Sequence, residues 1–200
     1  MEKLKIKSEA LSIVDIEKIS RLINEGGVVI LPTDTVYGLS AVASNKKSIE
    51  RIYSIKKRKK QKPLIVLMKS FCMIRKYCRL NKKQYDYLRE ALKKREAISV
   101  VLRIKNNILK HLANESGGLA VRIPIRSDFL IRLIKKIDEP IVSTSLNLSG
   151  EDEILDLKNI SEKLDEKNID LVLDIGKIKK RKTSKIIDIT DMNRIKLIRG

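Results

Sequence analysis

Three polar segments of this 200-residue sequence gather groups that bind anions or small polar molecules, and none of them uses a histidine or a cysteine. The octet Pro32-Thr33-Asp34-Thr35-Val36-Tyr37-Gly38-Leu39 sets two hydroxyls around a carboxylate, with Tyr37 and Gly38 behind. It can receive the hydroxyl and ammonium of a small amino acid or the edge of a nucleotide, although Thr and Asp also satisfy the backbone of a plain turn. Lys56-Lys57-Arg58, followed by Lys62-Pro63-Leu64, offers a point charge and a bidentate fork, the pairing suited to phosphate. Ser143-Thr144-Ser145-Leu146-Asn147-Leu148-Ser149-Gly150 supplies four hydroxyls and an amide, neutral donors for phosphate or carboxylate oxygens or, more plainly, for a hydroxyl-rich turn.

What is missing narrows the chemistry. The sequence holds no G-x-x-x-x-G-K-[ST] loop and no G-x-G-x-x-G, which removes the standard nucleotide cradles. The single histidine, His111, has no cysteine near it, and one histidine beside Cys72 and Cys78 assembles neither a zinc site nor a disulfide framework; both thiols read as structural. Acidic residues fall mostly among lysines, which disfavours a carboxylate acid–base pair. Cations with hydroxyls and amides remain. Lys and Arg number 44 against 25 Asp and Glu, a formal charge of +19. Lysines scattered along the chain make net charge alone a poor guide to a partner. The runs at 56–62 and 177–182 say more, because they repel themselves unless an anion such as a nucleotide or tRNA lies beside them; a solvated basic face is the plainer reading, above all for the second, while the first adjoins the motifs above and fits a phosphate site better.

The elements that must position these segments alternate. Ser12 and Asp15 form a capping box ahead of Ile16, Ile19, Leu22 and Ile23, predicting a helix over 13–25 that stops at Gly26-Gly27. Val28 to Leu31 reads as a buried strand, followed by a turn-rich loop. Further helices are expected over 46–57, 70–79, 81–94 and 127–137, and one from a cap at Asn159 to about 166. Strands are expected over 64–68, 98–102, 119–123, 141–144, 170–174, 185–189 and 195–198. The order argues for an α/β (α+β) domain over 1–200, with a twisted, largely mixed sheet flanked by helices. The three polar segments each abut a strand and could converge outside strand ends. The longest apolar runs are six residues, too short to cross a bilayer, and no signal peptide is visible, so a soluble, cytoplasmic protein is expected.

These segments, together with Ala120-Val121-Arg122-Ile123-Pro124, resemble in order the YrdC-like family of L-threonylcarbamoyladenylate synthases, from about Ile13 to Arg199. The resemblance implies a concave electropositive cavity and a nucleotidyltransferase. Such an enzyme makes threonylcarbamoyl-AMP and pyrophosphate from L-threonine, bicarbonate or CO2, and ATP with Mg2+. The intermediate serves N6-threonylcarbamoylation of adenosine 37 in tRNA by a separate transferase complex. No tightly bound protein metal is implied. The family's catalytic tetrad falls on Lys56, Arg58, Ser145 and Asn147. Lys62, Ser99, Ser143 and Arg199 join Arg58, Ser145 and Asn147 at ATP, while Thr35, Arg103, Arg122 and Ser184 fall at threonine, with Ser99 and Arg103 expected to line the same cavity. Lys94 to Ala97 replaces the family's Trp-Pro-Gly-Pro, Lys185 replaces a Thr, and the extra C-terminal domain of longer members is expected to be missing. The alternatives are a basic RNA-binding factor or a catalytically degenerate nucleotide sensor using the same cavity; the paucity of aromatics, two Phe and five Tyr without Trp, weighs against an RNA-stacking module.

Overall fold

The five α-helices among the described residues begin the same way. A Ser or Asn side chain accepts from the backbone N–H three residues on: Ser12 from Asp15, Asn45 from Ser48, Ser70 from Met73, Asn81 from Gln84 and Ser127 from Leu130. These caps start α1 (Ile13–Asn24), α2 (Lys46–Ile55), α3 (Phe71–Tyr77), α4 (Lys82–Lys93) and α5 (Asp128–Ile137), and α1 and α4 carry full capping boxes. In α1 the buried positions Ile16, Ile19 and Ile23, and in α5 Leu130, Leu133, Ile134 and Ile137, recur at helical spacing. The two helices pack on one another through those stripes.

The computed structural model describes residues 1–5, 12–59, 62–158, 160, 164, 166–179, 181 and 184–200. Its strands are β1 (Glu2–Lys5), β2 (Val29–Pro32), β3 (Tyr37–Val42), β4 (Ile65–Leu67), β5 (Ile98–Arg103), β6 (Gly118–Arg122), β7 (Ile141–Ser145), β8 (Leu171–Asp174), β9 (Lys185–Asp188) and β10 (Lys196–Arg199). They form one mixed sheet in the order β1-β8-β2-β3-β7-β4-β6-β5-β9-β10. Neighbours β1/β8, β8/β2, β4/β6 and β5/β9 run parallel, and the other pairs antiparallel. The central strands β2, β3 and β6 are buried at every position, as strands covered on both faces must be.

The expected helices and strands over the described residues are present, with two additions. The segment after β2 is not all loop: Thr33 to Val36 makes a tight turn and Tyr37–Val42 returns as β3 against β2. A Gly, a Ser and an Ala in that strand hide the β pattern that Val, Ile and Thr normally display. Residues Glu2–Lys5 pair in parallel with β8 as an edge strand. The helix expected from Asn159 lies outside the described residues. No helix among the described residues is long and apolar enough to cross a membrane.

Candidate anion-binding active site

Register brings the three polar segments to one face of the sheet. Gly38 of β3 lies opposite Ser145 of β7, Ser40 opposite Ser143, Ile65 of β4 opposite Ser143, and Leu67 opposite Arg122 of β6. Side chains two apart share a face, so Ser143, Ser145, Ile65, Leu67 and Arg122 line one cleft. Thr33 to Gly38, Arg58, Pro63, Glu153, Ser184 and Ile186 border it, and Arg199 of β10 closes it from the sheet's far edge. The enclosed volume is about 160 Å³, below the roughly 300–1,000 Å³ of pockets that enclose a drug-sized ligand.

Lys56, at the C-terminal end of α2, is 1% exposed and lies beneath this surface. Its ammonium donates to the Ser145 carbonyl, to the Asn147 carbonyl at 2.8 Å and to Asn147 Oδ1 at 2.7 Å. Its own carbonyl accepts from Ser149 N–H at 2.9 Å, so one residue ties down the whole 145–149 turn. Ser145 Oγ donates to Asn147 Oδ1 at 2.8 Å, and Asn147 Nδ2 donates to the Glu151 carbonyl at 2.7 Å, which fixes the orientation of the amide. All three acceptors around the ammonium are neutral. Burial, helped by the nearby Arg58, pulls its pKa down to about 8.

Arg58 follows a left-handed Lys57 (φ 46) that turns the chain off α2. Its guanidinium donates through Nε to the Lys62 carbonyl at 3.0 Å and through Nη2 to the Pro63 carbonyl at 3.1 Å, and burial lowers its pKa. Tyr53 O–H donates to that same Lys62 carbonyl. On the cleft's floor the buried Arg122 pairs with the buried Asp34, the ion pair being closed through Nη2 and Oδ2. Burial lowers the Arg122 pKa while Asp34 opposes the fall. The Thr33 hydroxyl donates to the Val36 carbonyl at 2.6 Å and sits 3.1 Å from Thr35 Oγ1. With its one hydrogen so engaged, Thr33 accepts from Thr35, whose lone pairs face the cleft.

Gly38 is required by this packing. A Cβ there would stand 2.6 Å from Ser143 Oγ and 3.1 Å from Thr33 Cγ2. Ser40 Oγ donates to that Ser143 hydroxyl at 3.1 Å. At the far side, Arg199 donates through Nε (3.3 Å) and Nη2 (3.0 Å) to the Ser184 carbonyl, and the Ser184 and Ser99 hydroxyls lie 3.0 Å apart.

Of the residues singled out in the sequence, Thr35, Arg58, Arg122, Ser143, Ser145, Ser184 and Arg199 line the cleft. Lys56, Asn147 and Ser99 do not. The first two form the support beneath the 145–149 turn, and Ser99 is fully buried behind Ser184. The side chain of Lys62 is exposed outside the cleft, and its carbonyl anchors Arg58. The expectation that Arg103 lines the cavity fails. It shares the Ser99 face of β5, but four residues along a strand is about 13 Å, and its guanidinium donates to the Ser116 carbonyl instead. Lys94 to Ala97 is likewise absent from the lining. His111 lies outside the cleft lining and bonds the Ala43 carbonyl through Nε2 at 2.9 Å. Cys78 is buried, its thiol pushed up to about 12, whereas Cys72 is exposed, so only Cys78 fits the reading of a structural thiol. Sequence reasoning passed over Asp34 as the partner of Arg122, and Glu153 at the rim. No group of three or more His, Cys, Asp or Glu among the described residues is placed to hold a metal ion.

The Sua5/YciO/YrdC family model, described as "Telomere recombination", matches residues 21–200. A Methanocaldococcus jannaschii protein provisionally named threonylcarbamoyl-AMP synthase is 33% identical over 187 residues, covering 92% of this chain and 85% of that protein. A threonylcarbamoyl-AMP synthase of Hydrogenovibrio crunogenus is 30% identical over 144 residues, covering 71% of this chain and 77% of the relative. Among solved structures, P. abyssi Sua5 complexed with L-threonine superposes with a TM-score of 0.82 at 25% identity. The match covers all of this chain and 57% of Sua5, so the chain spans little more than half of that protein.

Proposed function

The chain belongs to the Sua5/YciO/YrdC family, and on that premise we propose that it is a threonylcarbamoyl-AMP synthase, joining L-threonine, CO2 or bicarbonate, and ATP with release of pyrophosphate. The single observation carrying this reading is the meeting of Arg58, Arg122 and Arg199 with Thr35, Ser143 and Ser145 around one cleft, above the buried ammonium of Lys56. The names of the two relatives and the L-threonine bound to P. abyssi Sua5 support it.

The threonine amine adds to CO2, giving a carbamate and a proton. A carbamate oxygen then attacks the α-phosphorus of ATP, and the bond from that phosphorus to the bridging oxygen breaks, so pyrophosphate leaves. Two anions must meet, so neutralising and aligning them is the main task. In this reading Arg122 takes the amino-acid carboxylate and Thr35 accepts from the substrate hydroxyl or ammonium. Arg58, Arg199 and Ser143 donate to carbamate and phosphate oxygens, Ser145 joins them when its one hydrogen turns from Asn147 Oδ1 to the substrate, and Lys62 is within reach of the outer phosphates. Lys56 and Asn147 are positioning residues, holding the Ser145 turn and adding a buried positive charge beneath it. Ser184 and Ser99 hold Arg199. A cleft of about 160 Å³ suits the amino acid, with the nucleotide extending over its open side. ATP enters as its Mg2+ complex, the ion held by phosphate oxygens and water. The lining carboxylates are Asp34, bound to Arg122, and Glu153, a set better suited to substrate Mg2+ than to a resident ion. The product passes in the cytoplasm to a separate transferase acting on adenosine 37 of tRNA.

Pyrophosphate release by the purified protein tests the reading. Release is expected only with threonine, bicarbonate and ATP together, and Arg58→Ala should abolish it. Release indifferent to threonine, or an Arg58→Ala protein as active as the parent, would overturn it.

A further inference from the structure

The cleft absorbs only a small part of the +19 charge. A one-sided surface lies elsewhere, where α3 meets the end of β5. Residues 71–85 and 97–114 contain no Asp or Glu, and the fold stitches the two segments together. Arg79 N–H donates to the Arg103 carbonyl at 2.8 Å, Lys105 N–H to the Tyr77 carbonyl at 2.8 Å, and Asn106 Nδ2 to the Lys76 carbonyl at 3.0 Å, while Cys78 and Ile104 form a β-bridge. Arg75, Lys76, Arg79, Arg103 and Lys105 are thereby gathered, and all five are exposed. None is in an ion pair among the described residues. Where Lys105 and Arg103 find acceptors, these are backbone carbonyls, of Arg75 and Ser116. Several surface cations elsewhere are paired, as in Lys69–Asp138, Lys82–Asp86 and Lys136–Glu17.

Five exposed cations, of which Lys76 feels a carboxylate, that of Asp138, make a fixed positive field suited to a polyanion. The patch also carries planar groups. The Arg75 guanidinium lies 5.1 Å from the centroid of the Tyr85 ring, and that ring stands 4.6 Å from Phe71. An exposed guanidinium laid on a ring in this way can stack a nucleobase on its other face, whereas an acidic polypeptide has nothing to stack. The patch is at the opposite end of β5 from Ser99 and the cleft, about 13 Å along the strand, so an occupant need not displace nucleotide or amino acid.

We infer that the α3–β5 surface binds the phosphate backbone of RNA, independently of the cleft and of the reaction assigned to it. The experiment measures binding of a fluorescently labelled RNA hairpin across a salt series, with polyglutamate as competitor, for the parent, for Arg75→Glu/Arg79→Glu/Lys105→Glu and for Arg58→Ala. The expected result has three parts. For the parent, binding weakens steeply with salt; in the triple variant, affinity falls at least about tenfold and the slope of log K against log salt becomes shallower by about 3. Arg58→Ala binds like the parent. The triple variant retains the parent's pyrophosphate release and urea midpoint, which separates failure of this surface from failure of the synthase reading. Unchanged RNA binding in the triple variant, loss of binding in Arg58→Ala alone, or competition by polyglutamate as effective as that by unlabelled RNA would each overturn the assignment.

Discussion

Lys56 is the residue on which the site turns, although it does not line the cleft. A fully buried ammonium with three neutral acceptors is held by geometry, and it repays its desolvation by fixing the Ser145–Ser149 turn. Replacing it with the apolar Lys56→Met removes the charge and takes the ammonium from the partly buried Ser145 and Asn147 carbonyls, each worth about 1–3 kcal/mol, while Asn147 Oδ1 keeps its bond from Ser145. We expect the urea midpoint to fall and kcat to drop by about 10²–10³, the range seen when one charge-stabilising donor is lost. Unchanged kcat in a folded variant would count against the positioning role. In the synthase reading, Asp34 bears on the amino acid. It is the countercharge of the buried Arg122, so Asp34→Asn should leave the guanidinium proposed to take the amino-acid carboxylate in an altered orientation. The expected outcome is a rise of about tenfold in the KM for threonine with that for ATP little changed, measured by varying each in turn. Equal changes in both KM values would mean that the pair supports the whole cleft and has no special tie to threonine.

At the scale of elements, the cleft depends on how closely β3 and β7 approach, and Gly38 sets that approach. In Gly38→Ala the new methyl meets the Ser143 hydroxyl, which must turn away and give up its bond from Ser40. A loss of about 1–3 kcal/mol is expected from this overpacking, together with reduced activity. The double variant Gly38→Ala/Ser143→Gly should regain stability, and if it is no better than the single variant, the crowding lies against Thr33 instead. The sequence is informative here in an uneven way. Caps and apolar stripes are local, so Ser12, Asn45, Ser70, Asn81 and Ser127 announce their helices directly. The strand holding Gly38 has no such signal: Gly38 is small because Ser143 and Thr33 lie so near, and that is a tertiary fact. The segments forming the cleft could be picked out by residue type. Which member would face solvent could not, because the depth of Lys56, the pairing of Asp34 with Arg122 and the remoteness of Arg103 follow from register between strands distant in sequence.

For the whole molecule, the buried lysine makes stability and activity move in opposite directions with pH. Burial lowers the Lys56 pKa from 10.5 to about 8, so the unfolded chain binds more protons than the folded one above pH 8, and stability must rise with pH there. The penalty on the charged form is present in full below that range and is relieved as pH climbs. The window is short. Cys78 is raised from 9.0 to about 12, so above pH 9 the unfolded thiol ionises first and stability is drawn down again, and Tyr37, raised from 10.0 to about 12, adds to that fall higher still. Between pH 8 and 9 the urea midpoint of the parent should therefore increase while that of Lys56→Met does not. Over the same interval the cleft loses the positive charge beneath its Ser145 turn, so affinity for ATP should decline. Bound triphosphate favours the ammonium and moves its pKa upward, so the alkaline limb of kcat at saturating ATP lies above that of kcat/KM. Calorimetric binding of ATP beside urea titrations at each pH separates the two trends. A parent whose stability and ATP affinity fall together from pH 8 to 9 would show that Lys56 keeps its proton throughout and that another group governs the limb.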